Sequence, residues 1–234
     1  NTMAYQMTFK RYELKYLLNR QEKEQILLAM EPYMKLDDYG RTVIRNIYFD
    51  TDTFRLIRRS LEKPVYKEKL RIRSYKPVKK TDPVFVEIKK KYKVITNKRR
   101  ITLTYENLKN YLNKNKIPDN SNIQIFNELD YLMNYYELKP KVFISYDRIS
   151  FISKENKNLR ITFDNNLNYR LNELNLDDEK GKTFNNDKYI LEIKTLDSFP
   201  IWLVKALSEL EIYPTSFSKY GSIYKNYILK ESLC

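Results

Sequence analysis

Residues 67–76 read "KEKLRIRSYK". Lys67, Lys69, Arg71 and Arg73 fall on every second residue, and Leu70 and Ile72 fall between them. In a β-strand, successive side chains point to opposite faces. One face is then apolar and the other carries a row of cations. The fold turns on where those cations point. In a simple antiparallel sheet the polar face looks into water.

The same alternation recurs on both sides of this stretch. Residues 8–18 place Arg11, Glu13 and Lys15 on one face and Tyr12, Leu14 and Tyr16 on the other. Residues 83–93 set Glu87, Lys89 and Lys91 against Val86 and Ile88, and residues 96–104 set Lys98, Arg100 and Thr102 against Ile101 and Leu103. These two read as a hairpin. Further strands are expected at 41–50, 140–153, 158–171 (Arg160, Thr162 and Asp164 on one face) and 188–195 (Glu192 and Lys194 against Leu191 and Ile193). Arg148 adds to the charged set, and Lys219 joins it from the C-terminal segment.

Helices are expected between the strands. Asn19 is a good N-cap for 19–33, and Thr51 or Asp52 is the expected cap of a short helix over 51–63. Residues 105–137 change to helical apolar spacing, broken at Pro118-Asp119-Asn120-Ser121. Residues 199–210 are amphipathic, 172–187 read as a loop, and the chain turns helical after Ser218. One domain over 1–234 is expected, since no repeat or linker divides the chain.

Composition excludes several chemistries. There is no histidine, so neither His acid–base catalysis nor a His metal ligand is available. The single cysteine, Cys234, rules out disulfides and thiolate zinc sites within the chain. The three glycines, Gly40, Gly181 and Gly221, write no glycine-rich phosphate loop. Phosphate, if bound, must be held by side chains. No apolar run approaches the ~18 residues of a membrane span, and no signal peptide is visible. The net charge of +14 points to an anionic partner.

Charged residues on alternate strand positions most often form a solvated face. Two features argue against that here. The opposite face is apolar on strand after strand, and several amphipathic helices need it for packing. About eight strands also suffice to close a small barrel. With helices outside, the charged face lines the lumen. Two like charges ~4 Å apart repel by roughly 4 kcal/mol at an effective dielectric of about 20, so such a lumen needs bound anions. A linear polyphosphate fits, because arginine forks match phosphate oxygens. The interior carboxylates suit Mg²⁺ or Mn²⁺ bridging those oxygens.

The ordered set "RYELKY", "IYFDT", "KLRIRSY", "VFVEIKKK", "KRR", "SYDRISF", "LRITFDNNL", "LEIKT" and "FSKYGSIY" resembles the triphosphate tunnel metalloenzymes (CYTH-like superfamily). It is most similar to their VTC (vacuolar transporter chaperone) polyphosphate polymerase branch. The resemblance covers nearly the whole chain. It implies an α+β fold: an eight-stranded antiparallel β-barrel with a basic lumen and helices packed outside. It further implies transfer of the γ-phosphate of ATP to a growing polyphosphate chain, with Mn²⁺ or Mg²⁺. Arg71 and Arg73 match the family's R-x-R, Lys89 its E-x-K lysine, Tyr146 and Arg148 its Y-x-R pair, and Arg160 the arginine opening the next strand. Lys219 matches a tunnel lysine, Glu192 the metal-binding glutamate, and Lys194 lies beside it.

Lys15, Lys69, Lys98 and Arg100 complete the basic set, and Glu13 and Glu87 are further candidate metal ligands. Two departures matter. Arg11 stands where the wider superfamily has the first Glu of E-x-E-x-K, which favours the polymerase branch over cyclase or triphosphatase. Ser216 stands where the branch has a second lysine. In the family the resemblance points to, eukaryotic members carry further membrane and regulatory domains, and none is expected within these residues. The expectation is therefore a cytoplasmic catalytic module that works with separate membrane partners.

Three functions stay open at this stage: polymerase; metal-dependent phosphohydrolase, with Glu13, Glu87 or Asp164 activating water; and non-catalytic binding of polyphosphate or nucleic acid. The tyrosines that could stack on bases mostly alternate onto apolar faces, so nucleic acid is the weaker partner.

Overall fold

The computed structural model describes residues 12–93, 95–114, 123–184 and 187–231. Arg11, the break at 118–121 and Cys234 lie outside them. In chain order the elements are β1 (Tyr12–Leu18), α1 (Arg20–Met30), β2 (Met34–Asp50), α2 (Arg55–Leu61), β3 (Tyr66–Ser74), β4 (Pro83–Tyr92), β5 (Ile95–Thr104), α3 (Tyr105–Lys114), α4 (Ile123–Tyr136), β6 (Lys139–Ser153), β7 (Arg160–Arg170), β8 (Lys182–Phe184), β9 (Tyr189–Thr195), α5 (Ile201–Glu209), α6 (Lys219–Ile223), a π-turn (Tyr224–Ile228) and α7 (Leu229–Glu231).

The architecture is α+β, as expected. The strands form one antiparallel sheet in the order β1-β9-β7-β6-β2-β3-β4-β5, with β8 on β7. The described residues thus hold nine strands rather than eight. The additional one is β8, inside the stretch expected to be loop. It pairs Leu167–Tyr169 with Lys182–Phe184. Residues 173–180 of that stretch are held by Arg170, whose guanidinium donates to Glu173 O, Asn175 O and Oδ1, Asp178 Oδ1 and Lys180 O.

The chain packs as two compact units, each with its own core. The first comprises the described residues of Asn1–Arg41, Arg148–Asn165 and Asn185–Phe217. There Ile26 and Met30 of α1, and Leu203, Ala206 and Leu207 of α5, cover Tyr16, Leu18, Ile161, Phe163, Leu191 and Ile193. Helix α1 begins at a capping box: the Glu22 amide donates to Asn19 Oδ1 at 2.9 Å, and the Asn19 amide donates to Glu22 Oε2 at 2.6 Å.

The second comprises Thr42–Asp147, Asn166–Phe184 and the described residues after Phe217. Leu108 and Tyr111 of α3, and Phe126, Leu129 and Leu132 of α4, pack on Ile47, Phe49, Leu70, Ile72, Val86, Ile88, Ile101 and Leu103. Each such buried side chain contributes roughly 1.5–3 kcal/mol. Helices therefore claim the apolar face of β2–β5. By the alternation of the pleat, Lys69, Arg71 and Arg73 project from the other face.

The cap expected at Thr51 or Asp52 is corrected. Helix α2 starts after Phe54, which is left-handed at φ 56°. Its buried amides at Leu56 and Ile57 donate to the Asp50 carboxylate, at 2.8 and 3.0 Å. Thr51 Oγ1 accepts from the Arg55 amide and shares a hydrogen bond with Thr53 Oγ1, and Asp52 turns to Lys139 and Lys141. Among the described residues, no helix is long and apolar enough to cross a membrane.

Candidate functional site: two charged clusters

In the second unit, cross-strand register builds the site in rows. Tyr48 lies opposite Arg71, Arg71 opposite Glu87, and Glu87 opposite Arg100. A second row runs Lys69, Lys89, Lys98. Asn46 lies opposite Arg73. Residues in one row share one face of the sheet.

Glu87 is the hub. It is 1% exposed. Arg71 places Nε 2.8 Å from Oε2 and Nη2 2.7 Å from the same atom. Lys98 Nζ is 2.9 Å from Oε1, Arg100 Nε donates to Oε1 at 2.9 Å, and Arg73 Nη1 stands 4.0 Å from Oε2. Burial alone would push the Glu87 carboxyl up, but Arg71, Arg73 and Lys98 outweigh it and hold the group far below the usual carboxylate range. Four cations against one carboxylate leave three positive charges in excess. Burial pulls Lys98 down despite Glu87.

Neutral polar groups hold the guanidinia from the other side. Arg71 Nη1 donates to the Tyr48 hydroxyl at 3.2 Å, Arg73 Nε to Asn46 Oδ1 at 2.9 Å and Arg73 Nη2 to the Tyr146 hydroxyl at 3.4 Å. Arg100 Nη2 donates to the Tyr75 hydroxyl at 3.1 Å. Lys219 Nζ sits 4.2 Å from the Tyr146 ring centre, and Lys69 Nζ donates to Ser218 Oγ at 3.4 Å. Arg73 is only 6% exposed, so this face is not an ordinary solvated surface.

The first unit holds the other cluster. Glu13 lies opposite Lys194, which lies opposite Arg160; Lys15 lies opposite Glu192, which lies opposite Thr162. Glu192 is 6% exposed and contacts Lys194 directly, with Lys15 Nζ at 3.9 Å. Lys15 Nζ is also 4.0 Å from Glu13 and donates to Phe217 O at 3.3 Å. Burial pushes the Glu192 carboxyl up, and Lys194, Lys15 and Arg148 together pull it well below its usual value. Arg148 makes a fork to buried Asp164, at 2.6 and 2.7 Å. Asp164, a candidate water activator in the sequence, is thus an anchor for Arg148. Arg160 is exposed.

The three candidate metal ligands do not gather: among the described residues no three carboxylates come together in a metal-binding group. Glu87 is saturated by cations. Glu13 and Glu192 flank the Lys15 ammonium, and Thr162 Oγ1, in register with Glu192, is buried with no hydrogen-bond partner. Two carboxylates and an unsatisfied hydroxyl are hard oxygen donors of the kind Mg²⁺ or Mn²⁺ takes alongside phosphate. This pair fits such an ion; Glu87 does not.

The residues that charge alternation overlooked are Asn46, Tyr48 and Tyr75; the sequence places Thr162 on the charged face but gives it no role. In "RNIYFD" the period was present, with Asn46 and Tyr48 alternating against Ile47 and Phe49. Their neutrality kept them out of a search for charge.

A candidate adenylate cyclase from Bacillus halodurans shares the fold, with a TM-score of 0.55 at 16% identity over 93% of this chain and 99% of that one. A second candidate adenylate cyclase, from Vibrio parahaemolyticus, aligns at a TM-score of 0.47 and 10% identity over 89% of this chain and 94% of its own. No curated protein matches the sequence. The class is an antiparallel sheet fold with helices on one face, and in this chain the other face gathers arginine and lysine. Within it the family is specific: the VTC domain model matches residues 10–227, and the chain belongs to the VTC-domain family. The resemblance read from the ordered motifs is borne out.

Proposed function

We propose that this VTC-domain protein is a polyphosphate polymerase that moves the γ-phosphate of ATP onto the end of an inorganic polyphosphate chain. The observation that carries the reading is the cluster around Glu87. Four cations converge on one carboxylate, and a phosphate group would meet donors already oriented by Glu87, Tyr48, Asn46 and Tyr146. In the reaction, a terminal phosphate oxygen of the chain attacks the γ-phosphorus. The bond from that phosphorus to the β,γ-bridging oxygen breaks, ADP leaves, and the chain is one phosphate longer.

Such a transfer asks for alignment and charge stabilisation rather than covalent catalysis. Arg71, Arg73, Lys98 and Arg100 supply positive charge to the phosphoryl oxygens, and Lys69, Lys89 and Lys219 extend it. The acceptor phosphate is already ionised near neutral pH, so no general base is needed, in keeping with a chain without histidine. Glu13 and Glu192, with Thr162, are the residues that would hold Mn²⁺ or Mg²⁺, whose charge would neutralise phosphate oxygens. Lys15, Lys194 and Arg148 set the positive field around them.

Hydrolysis is the weaker reading on specific grounds. Glu87 is held in its least basic state, and Asp164 is committed to Arg148. The test is incubation with ATP and Mn²⁺, with and without a short polyphosphate primer. Chains are resolved on a gel and free phosphate is assayed in parallel. A ladder that vanishes in Arg71→Ala supports the polymerase. Free phosphate without chains moves the assignment to hydrolysis, and tight polyphosphate binding with neither product moves it to a binding protein.

A further inference from the structure

We propose that Tyr48 is a positioning residue that orients Arg71 and ties the site's grip on phosphate to whether its own phenol carries a proton. This rests on the reading of Arg71 as a phosphate contact. Tyr48 is a buried phenol in a place where a phenylalanine would satisfy packing. Its ring stacks on Tyr220, with ring centres 5.1 Å apart, and faces the Arg71 guanidinium at 5.9 Å. Its oxygen accepts from Arg71 Nη1. Glu87 holds Nε and Nη2 of the same guanidinium. The two contacts fix the plane of Arg71 from both sides.

The surroundings of the Tyr48 oxygen are cationic. Lys69, Arg71 and Arg73 act on it from β3. Tyr220 packs against it from α6 and donates its own hydroxyl to Asp50 at 3.0 Å. Tyr146 of β6 and Glu87 of β4 share the Arg71 field. Burial pushes the Tyr48 phenol up, but the charges of Arg71, Arg73 and Lys69 outweigh burial and bring it down from 10.0 to about 8. Above that pH the phenolate neutralises one of the charges that a phosphate would use. Binding a phosphate must then return a proton to Tyr48. Affinity therefore falls as pH rises through the phenol's titration, and by linkage the loss reaches about tenfold one unit above it.

The test uses the whole chain with tripolyphosphate in EDTA, from about pH 6.5 to 9.5. Wild type, Tyr48→Phe and Arg71→Ala are compared by calorimetry, and phenolate formation is followed by ultraviolet absorbance. Tyr48→Phe keeps the stacked ring but removes the Arg71 contact, and is expected to bind several-fold more weakly than wild type near neutral pH. It should lack the extra alkaline loss. The wild-type minus Tyr48→Phe absorbance should isolate a phenol titrating below the ordinary tyrosine value of 10.0, moving upward when tripolyphosphate is bound. The ligand's own ionisation is common to both arms and cancels in their ratio. Parallel pH profiles for wild type and Tyr48→Phe, or no early-titrating phenol in the difference spectrum, overturn the proposal even if Arg71→Ala still loses binding. Failure of the underlying reading looks different: Arg71→Ala then binds tripolyphosphate as well as wild type does, while the absorbance difference still reports on Tyr48.

Discussion

Arg71 and Glu87 are cross-strand neighbours whose side chains also meet, with two guanidinium nitrogens within 2.8 Å of one carboxylate oxygen. The pair is the centre of a charge imbalance rather than a closed salt bridge, because Arg73, Lys98 and Arg100 draw on the same carboxylate. Removing one partner of a buried pair costs about 3–5 kcal/mol. Glu87→Gln keeps the shape and loses the charge. It is expected to lower unfolding stability by about that amount at low ionic strength. Tripolyphosphate should then stabilise the variant more than it stabilises wild type, since the ligand replaces the lost anion. Equal ligand-induced shifts in denaturation midpoint would show that the cluster is not an anion site.

The same carboxylate sets an acid limb. Its folded-state ionisation lies far below its ordinary value of 4.5, because the flanking cations outweigh the upward push of burial. Its stabilising contribution is therefore fully present above that ordinary value and is lost as pH falls below it. Glu192 adds a limb of the same sign, since Lys194, Lys15 and Arg148 overcome its burial too. Acid titration of stability should be steep in wild type, shallower in Glu87→Gln, and shallower again when Glu192→Gln is added. Superimposable curves for all three would mean that other carboxylates carry the acid transition.

Lys69, Lys89 and Lys98 form a row of directly opposed like charges across three strands. Such a row destabilises the sheet by some tenths of a kcal/mol per pair. Lys89→Gln breaks it in the middle. The variant is expected to change stability by less than about 1 kcal/mol without ligand. It should bind tripolyphosphate several-fold more weakly, with a shallower salt dependence. Unchanged affinity would remove Lys89 from the phosphate path.

The strand pattern and the helix positions were legible because both rest on local periodicity. Leu70 and Ile72 against Arg71 and Arg73 fix a face wherever the strand ends up, and the helices' own apolar stripes say what covers it. Features set by partners far along the chain were not legible. The cap of α2 reads as Thr51 or Asp52 from spacing alone, yet Asp50 does the work. It sits at the end of β2, where the following turn brings the Leu56 and Ile57 amides back onto it, and Tyr220, distant in sequence, supplies a further donor. Strand β8 is three residues long and has no periodicity to detect. The commitment of Asp164 to Arg148 depends on β6 lying beside β7, which no spacing in either strand encodes.

That long-range role of Asp50 has a measurable consequence. Asp50→Ala leaves two buried amides of α2 and the Tyr220 hydroxyl without their acceptor. At about 1–3 kcal/mol for each unsatisfied buried group, the loss should be several kcal/mol. Because Tyr220 also stacks on Tyr48, the damage should reach the site, with weaker tripolyphosphate binding in variants that remain folded. Asp52→Ala is the contrast. Its carboxylate is exposed and pairs with Lys139 and Lys141, so stability should barely change. Comparable losses in the two variants would return the cap to the position expected from spacing.

Glu13 and Glu192 flank the ammonium of Lys15, so a divalent ion at this pair competes with a cation already there. That competition predicts weak intrinsic binding that phosphate improves, because phosphate oxygens complete the ion's coordination and draw Lys15 toward themselves. Mn²⁺ binding followed by electron paramagnetic resonance should therefore tighten when tripolyphosphate is added to wild type. Glu192→Gln should weaken it by about 10–100-fold, as should Glu13→Gln, and Thr162→Val by less. Without metal, Glu192→Gln should hold tripolyphosphate as well as wild type or better, since one negative charge has left the neighbourhood of Lys15 and Lys194. If the Glu13→Gln, Glu192→Gln double variant binds Mn²⁺ normally, these carboxylates serve only to anchor lysines and the ion belongs elsewhere. If metal binding and metal-free phosphate binding fall together, Glu192 acts through the arrangement of Lys15, Lys194 and Arg148 rather than as a ligand. The two effects separate only when the carboxylate touches the ion, and that separation is what the pair's geometry predicts.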